Sequence, residues 1–303
     1  MNRRTFLKRT TGICMTGLVI SPWTIANGQA LSSELYTIGL SMYSLRFLFK
    51  DGSLEVFDYP AFARDTFGIT ELDVWDGAFP PDRKTDPTYY QELKRHADKA
   101  GTNIFLLMAG PVDARGKTRK DHVAQGALFE GAVENAVILG SKYVRVFLKA
   151  PDIDRNEALT HSIDTLKPIV SYAKHRGIII AIEPGASEWA KQGDFLADLA
   201  REFDDPNLRL MPDFGKMKDH DPYGGTEAMM PYASGVSAKS HDFDADGNEV
   251  NFDYERLMKT VVDSGFRGIV AIEYEGKVTP PVEGVLATKK LLQRVRAELG
   301  RNR

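Results

Sequence analysis

The sequence has a single cysteine, Cys14, and only six histidines. One cysteine excludes an internal disulfide, and its place near the N-terminus leaves later segments without a thiol nucleophile. Long apolar runs are missing. Gly12 to Ile20 is much shorter than the ~20 residues of a membrane-spanning helix. A large excess of charge of either sign is absent as well. The formal net charge is −3, with no basic stripe to follow a phosphate backbone, which argues against a nucleic-acid partner. At 43% hydrophobic and 27% charged residues, the chain falls in the globular range and is neither collagen-like nor disordered.

The N-terminus reads Arg3-Arg4-Thr5-Phe6-Leu7-Lys8-Arg9, then the modestly apolar stretch, then Ala26-Asn27-Gly28-Gln29-Ala30. A basic start, a short apolar middle and a small-residue end describe an export signal. The paired arginines followed by Phe-Leu-Lys resemble a twin-arginine signal. The expected division is a signal over 1–30 and a domain over 31–303, released to the periplasm or the exterior. Thr11-Gly12-Ile13 before Cys14 is not a lipoprotein cleavage site, so no stable membrane anchor is expected. Losing Arg3, Arg4, Lys8 and Arg9 takes four of 39 basic residues and none of the 42 acidic ones, leaving an acidic domain.

Within 31–303 one grammar repeats. Eight apolar, β-branched runs stand out: Tyr36–Leu40, Thr70–Val74, Asn103–Met108, Tyr143–Leu148, Ile178–Ile182, Leu208–Met211, Gly235–Ala238 and Ile269–Ile272. Near-continuous hydrophobicity suits parallel strands covered on both faces. Amphipathic helical stretches separate them. Asp86-Pro87 opens one, with Tyr90, Leu93, Ala97 and Ala100 on its inner face, and Asp253 opens another, with Leu257, Met258, Val261 and Val262 inward. Gly68, Gly101, Gly140, Gly177, Gly235 and Gly265 each fall between a helical stretch and the next run, where a left-handed cap is expected. Ala114–Lys120 reads as a solvated loop. Eight strand–helix units predict a single (β/α)8 TIM barrel. An open doubly wound sheet is the alternative, but no Gly-x-Gly-x-x-Gly follows the first run.

Barrel chemistry sits at the C-terminal ends of strands. The fifth and eighth runs both end in Ala-Ile-Glu, at Glu183 and Glu273. The sixth leads to Asp213 and the seventh to His241. Steps of 30, 28 and 32 residues separate these four, about one strand–helix unit each. Three carboxylates and an imidazole at one mouth make a hard, oxygen-rich cage for a divalent metal, Mn²⁺ or Mg²⁺ first, Zn²⁺ or Co²⁺ as alternatives. His220, in the loop after the sixth run, is a rival ligand. His96, His122, His161 and His175 fall on helical stretches and read as surface residues. Trp75 at a strand end could stack on a sugar ring. Arg145 reads either as an interior ion pair or as a substrate clamp.

These positions, with Asp213-Phe-Gly-Lys216 and Ile272-Glu273-Tyr-Glu-Gly276, resemble the xylose isomerase-like TIM barrels, often called the sugar phosphate isomerase/epimerase family. The resemblance runs from about Glu34 to Leu299. It implies a metal held by Glu183, Asp213, His241 and Glu273, with Glu183 and Glu273 moving protons. Two places differ. Family members commonly carry a His where Lys216 stands, and a His-x-Lys where this chain has Ser237-Ala238-Lys239. Trp75, Arg145, Lys216 and Lys239 are read as contacts to a small-molecule sugar or glycoside.

The expected reaction is proton transfer beside a keto-sugar carbonyl, giving an isomer or epimer. The same site could eliminate from a 3-keto-glycoside as a lyase. A metal-free retaining glycosidase using Glu183 and Glu273, and a non-catalytic carbohydrate-binding barrel, are the readings from other classes. A hydrolase acting on abasic DNA is opposed by the acidic charge.

Overall fold

The computed structural model describes residues 35–217 and 219–301, so the expected export signal over 1–30 lies outside the described residues. The strands are β1 (Thr37–Leu40), β2 (Glu71–Trp75), β3 (Asn103–Met108), β4 (Val112–Asp113), β5 (Tyr143–Lys149), β6 (Ile179–Glu183), β7 (Leu208–Leu210), β8 (Val236–Ser240) and β9 (Ile269–Tyr274). Helices of four to 21 residues lie between and after them: α1 (Arg46–Asp51), α2 (Tyr59–Phe62), α3 (Pro87–Ala100), α4 (Arg119–Leu139), α5 (Arg155–His175), α6 (Gly193–Phe203), α7 (Pro222–Met229), α8 (Tyr254–Asp263) and α9 (Pro281–Arg301). No helix among the described residues is long and apolar enough to cross a membrane.

All strand pairings between named strands are parallel, and eight strands run in the order β7-β6-β5-β3-β2-β1-β9-β8. The ends of this curled sheet meet at two isolated parallel bridges, Leu210 with Ala233 and Asp213 with Ser237. The Ser237 amide donates to the Pro212 carbonyl at 2.8 Å across that seam. This is the TIM-barrel fold that the alternating runs predict. Helices cover the outside, so both faces of the strands are buried. In β9, for example, Val270 to Tyr274 are all buried.

Local signals hold where they have a mechanism. Asp86 accepts the Thr88 amide at 2.9 Å and starts α3, whose Tyr90, Leu93, Ala97 and Ala100 are buried. Asp253 accepts the Arg256 amide at 3.0 Å and starts α8, which buries Leu257, Met258, Val261 and Val262.

Three readings are corrected. Gly68, Gly101, Gly140, Gly177 and Gly265 have positive φ, but Gly235 does not. The chain enters β8 from the short turn Met230–Tyr232, so no helix needs a left-handed cap there. Ala114–Lys120 is not wholly a solvated loop. Ala114 is fully buried just after β4, which pairs with β5, and α4 already begins at Arg119. The strand of the seventh run is β8, Val236–Ser240, which starts one residue and ends two residues further along than Gly235–Ala238.

Candidate active site

β6 ends on Glu183, β9 carries Glu273 one residue before its end, and Asp213 lies just past β7. All three side chains are buried, and their carboxylate oxygens lie within 4.8 Å of one another. Parallel strands deliver them together because strand ends in a barrel converge on one face. The register completes the group. Lys239 pairs with Glu273 across β8 and β9, and Ser237 pairs with Asp213 at the seam.

Lys239 is only 2% exposed. Its Nζ lies 3.1 Å from Glu273 Oε1 and 3.3 Å from Asp213 Oδ2, and it also contacts Glu275 Oε1. Ser237 Oγ donates to the other Glu273 oxygen at 2.6 Å. Arg145 reaches across from β5, its Nε 2.8 Å from Glu183 Oε2, as an ion pair without the alignment of a hydrogen bond. The backbone amides of Gly215 and Lys216 both donate to Asp213 Oδ1 at 2.8 Å, so the turn after β7 orients that carboxylate.

The two glutamates are tuned apart. Burial pushes Glu183 well above the usual carboxylate range, and Glu273 and Asp213 add to this against the pull of Arg145. Burial also raises Glu273, but the Lys239 charge, the Ser237 hydrogen bond and Arg145 overcome it and hold Glu273 down at about 2. Burial works against the Lys239 charge too, yet Asp213, Glu273 and Glu275 keep its pKa well above that of a free lysine. Below the group, Asp73 is fully buried and accepts the Met42 amide at 2.8 Å. Burial drives its pKa to about 8.

A cavity of about 260 Å³ opens on the group and is lined in part by Tyr43, Trp75, Met108, Arg145, Phe147 and Lys216. Trp75 meets Tyr43 edge-on at 4.9 Å. The indole lies so close to Gly77 that a Cβ there would fall 2.0 Å from its ring, so the turn after β2 has room for no side chain. Arg145 lies over the Phe147 ring at 4.3 Å, and Lys216 Nζ stands 5.7 Å from the same ring. Trp75 and Tyr43 also line a second cavity of about 410 Å³ with Phe47 and Phe49. A third cavity, about 430 Å³ and walled by α3 and α4, holds no carboxylate group of this kind.

The sequence-derived residues thus separate. Glu183, Asp213 and Glu273 come together. Trp75, Arg145 and Lys216 line the mouth, with Arg145 also serving as the partner of Glu183. Lys239, read as a substrate contact, lies inside the carboxylate group itself. His241 stands outside the three-carboxylate group. It follows the end of β8, its Nδ1 3.9 Å from Glu249 Oε1, and burial lowers its pKa. His220 is 3.1 Å from Glu188 Oε1, likewise outside the group. Sequence reasoning missed Tyr43, Phe147, Ser237 and Glu275. Glu275 alone carried a signal, as the second acid of the Glu-Tyr-Glu element.

The three carboxylates form a hard, oxygen-only donor set that could hold a divalent ion. Glu183 Oε2 and Asp213 Oδ2 are buried without a hydrogen bond and face side-chain cations, Arg145 and Lys239, where a metal ion could also draw on them.

No curated protein sequence matches the chain significantly. Solved structures match over nearly their whole length. One is the IolI protein with a bound zinc atom, at TM-score 0.69 and 16% identity, covering 86% of this chain and 98% of that one. Another is 3-keto-D-glucoside 4-epimerase from E. coli, at 0.65 and 11%, covering 86% and 99%. A third is a sugar phosphate isomerase/epimerase from Parabacteroides distasonis, at 0.64 and 19%, covering 90% and 98%. Residues 61–295 match the family described as xylose isomerase-like TIM barrel. On that match, the strand order and the acidic mouth, this chain belongs to the xylose isomerase-like TIM barrel family.

Proposed function

We propose that the chain is an exported sugar isomerase/epimerase-type enzyme that moves a proton next to the carbonyl of a keto-sugar. The observation that carries this reading is the pair Glu183 and Glu273. Both are buried at strand ends of one mouth, and their surroundings push their proton affinities in opposite directions. Such a pair is how one site presents an acid and a base at the same pH. Glu273, ionised, would take the proton beside the carbonyl. Glu183, holding a proton, would return one, at the same carbon for an epimer or at the neighbouring carbon for an isomer.

Charge develops on the carbonyl oxygen as the proton leaves, and it needs a positive partner. Arg145 and Lys239 are the cations in reach of the group. Asp213 and Glu273, with Glu183 once it has given up its proton, could hold a divalent ion in place of the Lys239 charge, Mn²⁺ or Mg²⁺ before Zn²⁺ or Co²⁺, which would supply charge to that oxygen and a neighbouring hydroxyl. Trp75 and Tyr43 offer an apolar wall for a sugar ring, and Lys216 a polar contact at its edge.

The second cavity behind Trp75 favours a glycoside over a free sugar, because it could seat the aglycone. With a 3-keto-glycoside, loss of the proton beside the ketone could expel the glycosidic oxygen, a lyase outcome. The twin-arginine-type N-terminus supports a place of action in the periplasm or outside the cell. The test is hydrogen–deuterium exchange, followed by proton NMR, on a panel of keto-sugars and 3-keto-glycosides in deuterated water. Exchange by the wild-type chain that disappears in Glu273→Gln supports the reading. Exchange at an unchanged rate in that variant sinks it.

A further inference from the structure

The seat formed by Glu183, Asp213 and Glu273 already faces a cation that the chain supplies. Asp213 Oδ2 and Glu273 Oε1, two of the oxygens a divalent ion would draw on, are the ones nearest Lys239 Nζ, at 3.3 and 3.1 Å. Two positive charges cannot share the same oxygens without strong repulsion. The path of the lysine is built into the fold. A Cβ on Gly215 would lie 2.4 Å from Lys239 Cδ and 3.0 Å from Cγ, so the bare glycine after Asp213 is what admits the lysine stem. The outer contact of the ammonium is Glu275, whose side chain is 22% exposed, whereas Asp213 and Glu273 are deeply buried. The ammonium therefore has an acidic partner on its way out.

We propose that the Lys239 ammonium and a divalent cation are alternative occupants of one carboxylate seat, and that the ion enters only as Lys239 withdraws toward Glu275 and the barrel mouth. The seat is then neutralised by the chain itself until a metal arrives. This rests on the reading of the three carboxylates as a cation seat, and is independent of which sugar is turned over.

The test is a Mn²⁺ titration of the full chain, followed by the electron paramagnetic resonance of free Mn²⁺. Lys239→Met should bind one ion about tenfold or more tighter than wild type, within the span usual for coupled sites. Asp213→Asn should abolish binding. A second measurement needs no variant. Acetylation read by mass spectrometry should leave Lys239 protected in the metal-free chain and modify it once Mn²⁺ saturates. If Lys239→Met does not fold, this labelling and Gly215→Ala, which crowds the stem and should also tighten binding, carry the test. Saturable binding with equal affinity in wild type and Lys239→Met, or with Lys239 still protected, overturns the competition alone. Absence of binding in both chains overturns the cation seat as well, while the exchange assay on keto-sugars judges the proposed reaction separately.

Discussion

The two halves of the barrel mouth are built from different chemistry. The half made by β6 to β9 carries Glu183, Asp213, Lys239 and Glu273, all buried, and the half-buried Glu275, with Lys239 paired to Asp213, Glu273 and Glu275. The half made by β1 to β5 presents Tyr43, Trp75, Met108 and Phe147, with rings and a thioether facing the cavity. Arg145 ties the two by an ion pair, reaching from β5 to Glu183. The difference teaches a division of labour. On the proposed reading, the charged groups that hold or release protons stand at or just past the ends of strands. The surface that would receive a ring is apolar, with Trp75, Met108 and Phe147 on strands of the other half and Tyr43 in the turn after β1.

The largest expected effect comes from blunting the charged half. Glu273→Gln and Glu183→Gln should each lower the exchange rate about 10³-fold with the fold intact, as judged by circular dichroism and single-turnover kinetics. Next comes the crossing residue. Arg145→Met removes the charge that opposes protonation of Glu183. Its stability in urea unfolding should fall most at high pH, by up to about 3 kcal/mol, where Glu183 is ionised and left without a counter-charge. On the apolar half the damage should be to binding. Trp75→Ala should raise KM about tenfold and leave kcat within a few-fold, since it removes contact area made equally in the ground and transition states.

A pH effect sharpens the comparison. Asp73 has a folded pKa of about 8, above the ~3.9 of an exposed aspartate. The folded chain keeps a proton there that the unfolded chain gives up. Its contribution to stability is therefore full below pH ~4 and is lost as pH rises toward about 8. Urea midpoints across that range should show the fall, and Asp73→Asn should flatten it. The smallest effect lies far from both halves. The exposed Lys259–Asp263 pair on α8 should contribute no more than about 0.5 kcal/mol when either partner is replaced by alanine.

Much of this was legible in order along the chain. The apolar runs located eight of the nine strands among the described residues because burial on both faces favours apolar side chains, most continuously in β3, β6 and β9. The repeated Ala-Ile-Glu pointed to Glu183 and Glu273 because strand ends and site coincide in this fold. What stayed hidden depends on pairing between distant segments. Nothing local tells that Lys239 faces Glu273, since that follows from the β8–β9 register. The two polar residues that finish β8, Lys239 and Ser240, broke the apolar run. The strand was therefore read as ending two residues too early. β4, at two residues, is too brief to leave a pattern.

The seam between β7 and β8 gives the site a mechanical side. Asp213 is both a member of the carboxylate group and one of the two bridges that join the ends of the sheet. Whatever cation draws on Asp213 therefore also acts as a clasp on the barrel. Tightening that clasp would slow amide hydrogen exchange at Ser237, which donates across the seam. A backbone proton would then report which cation is in place.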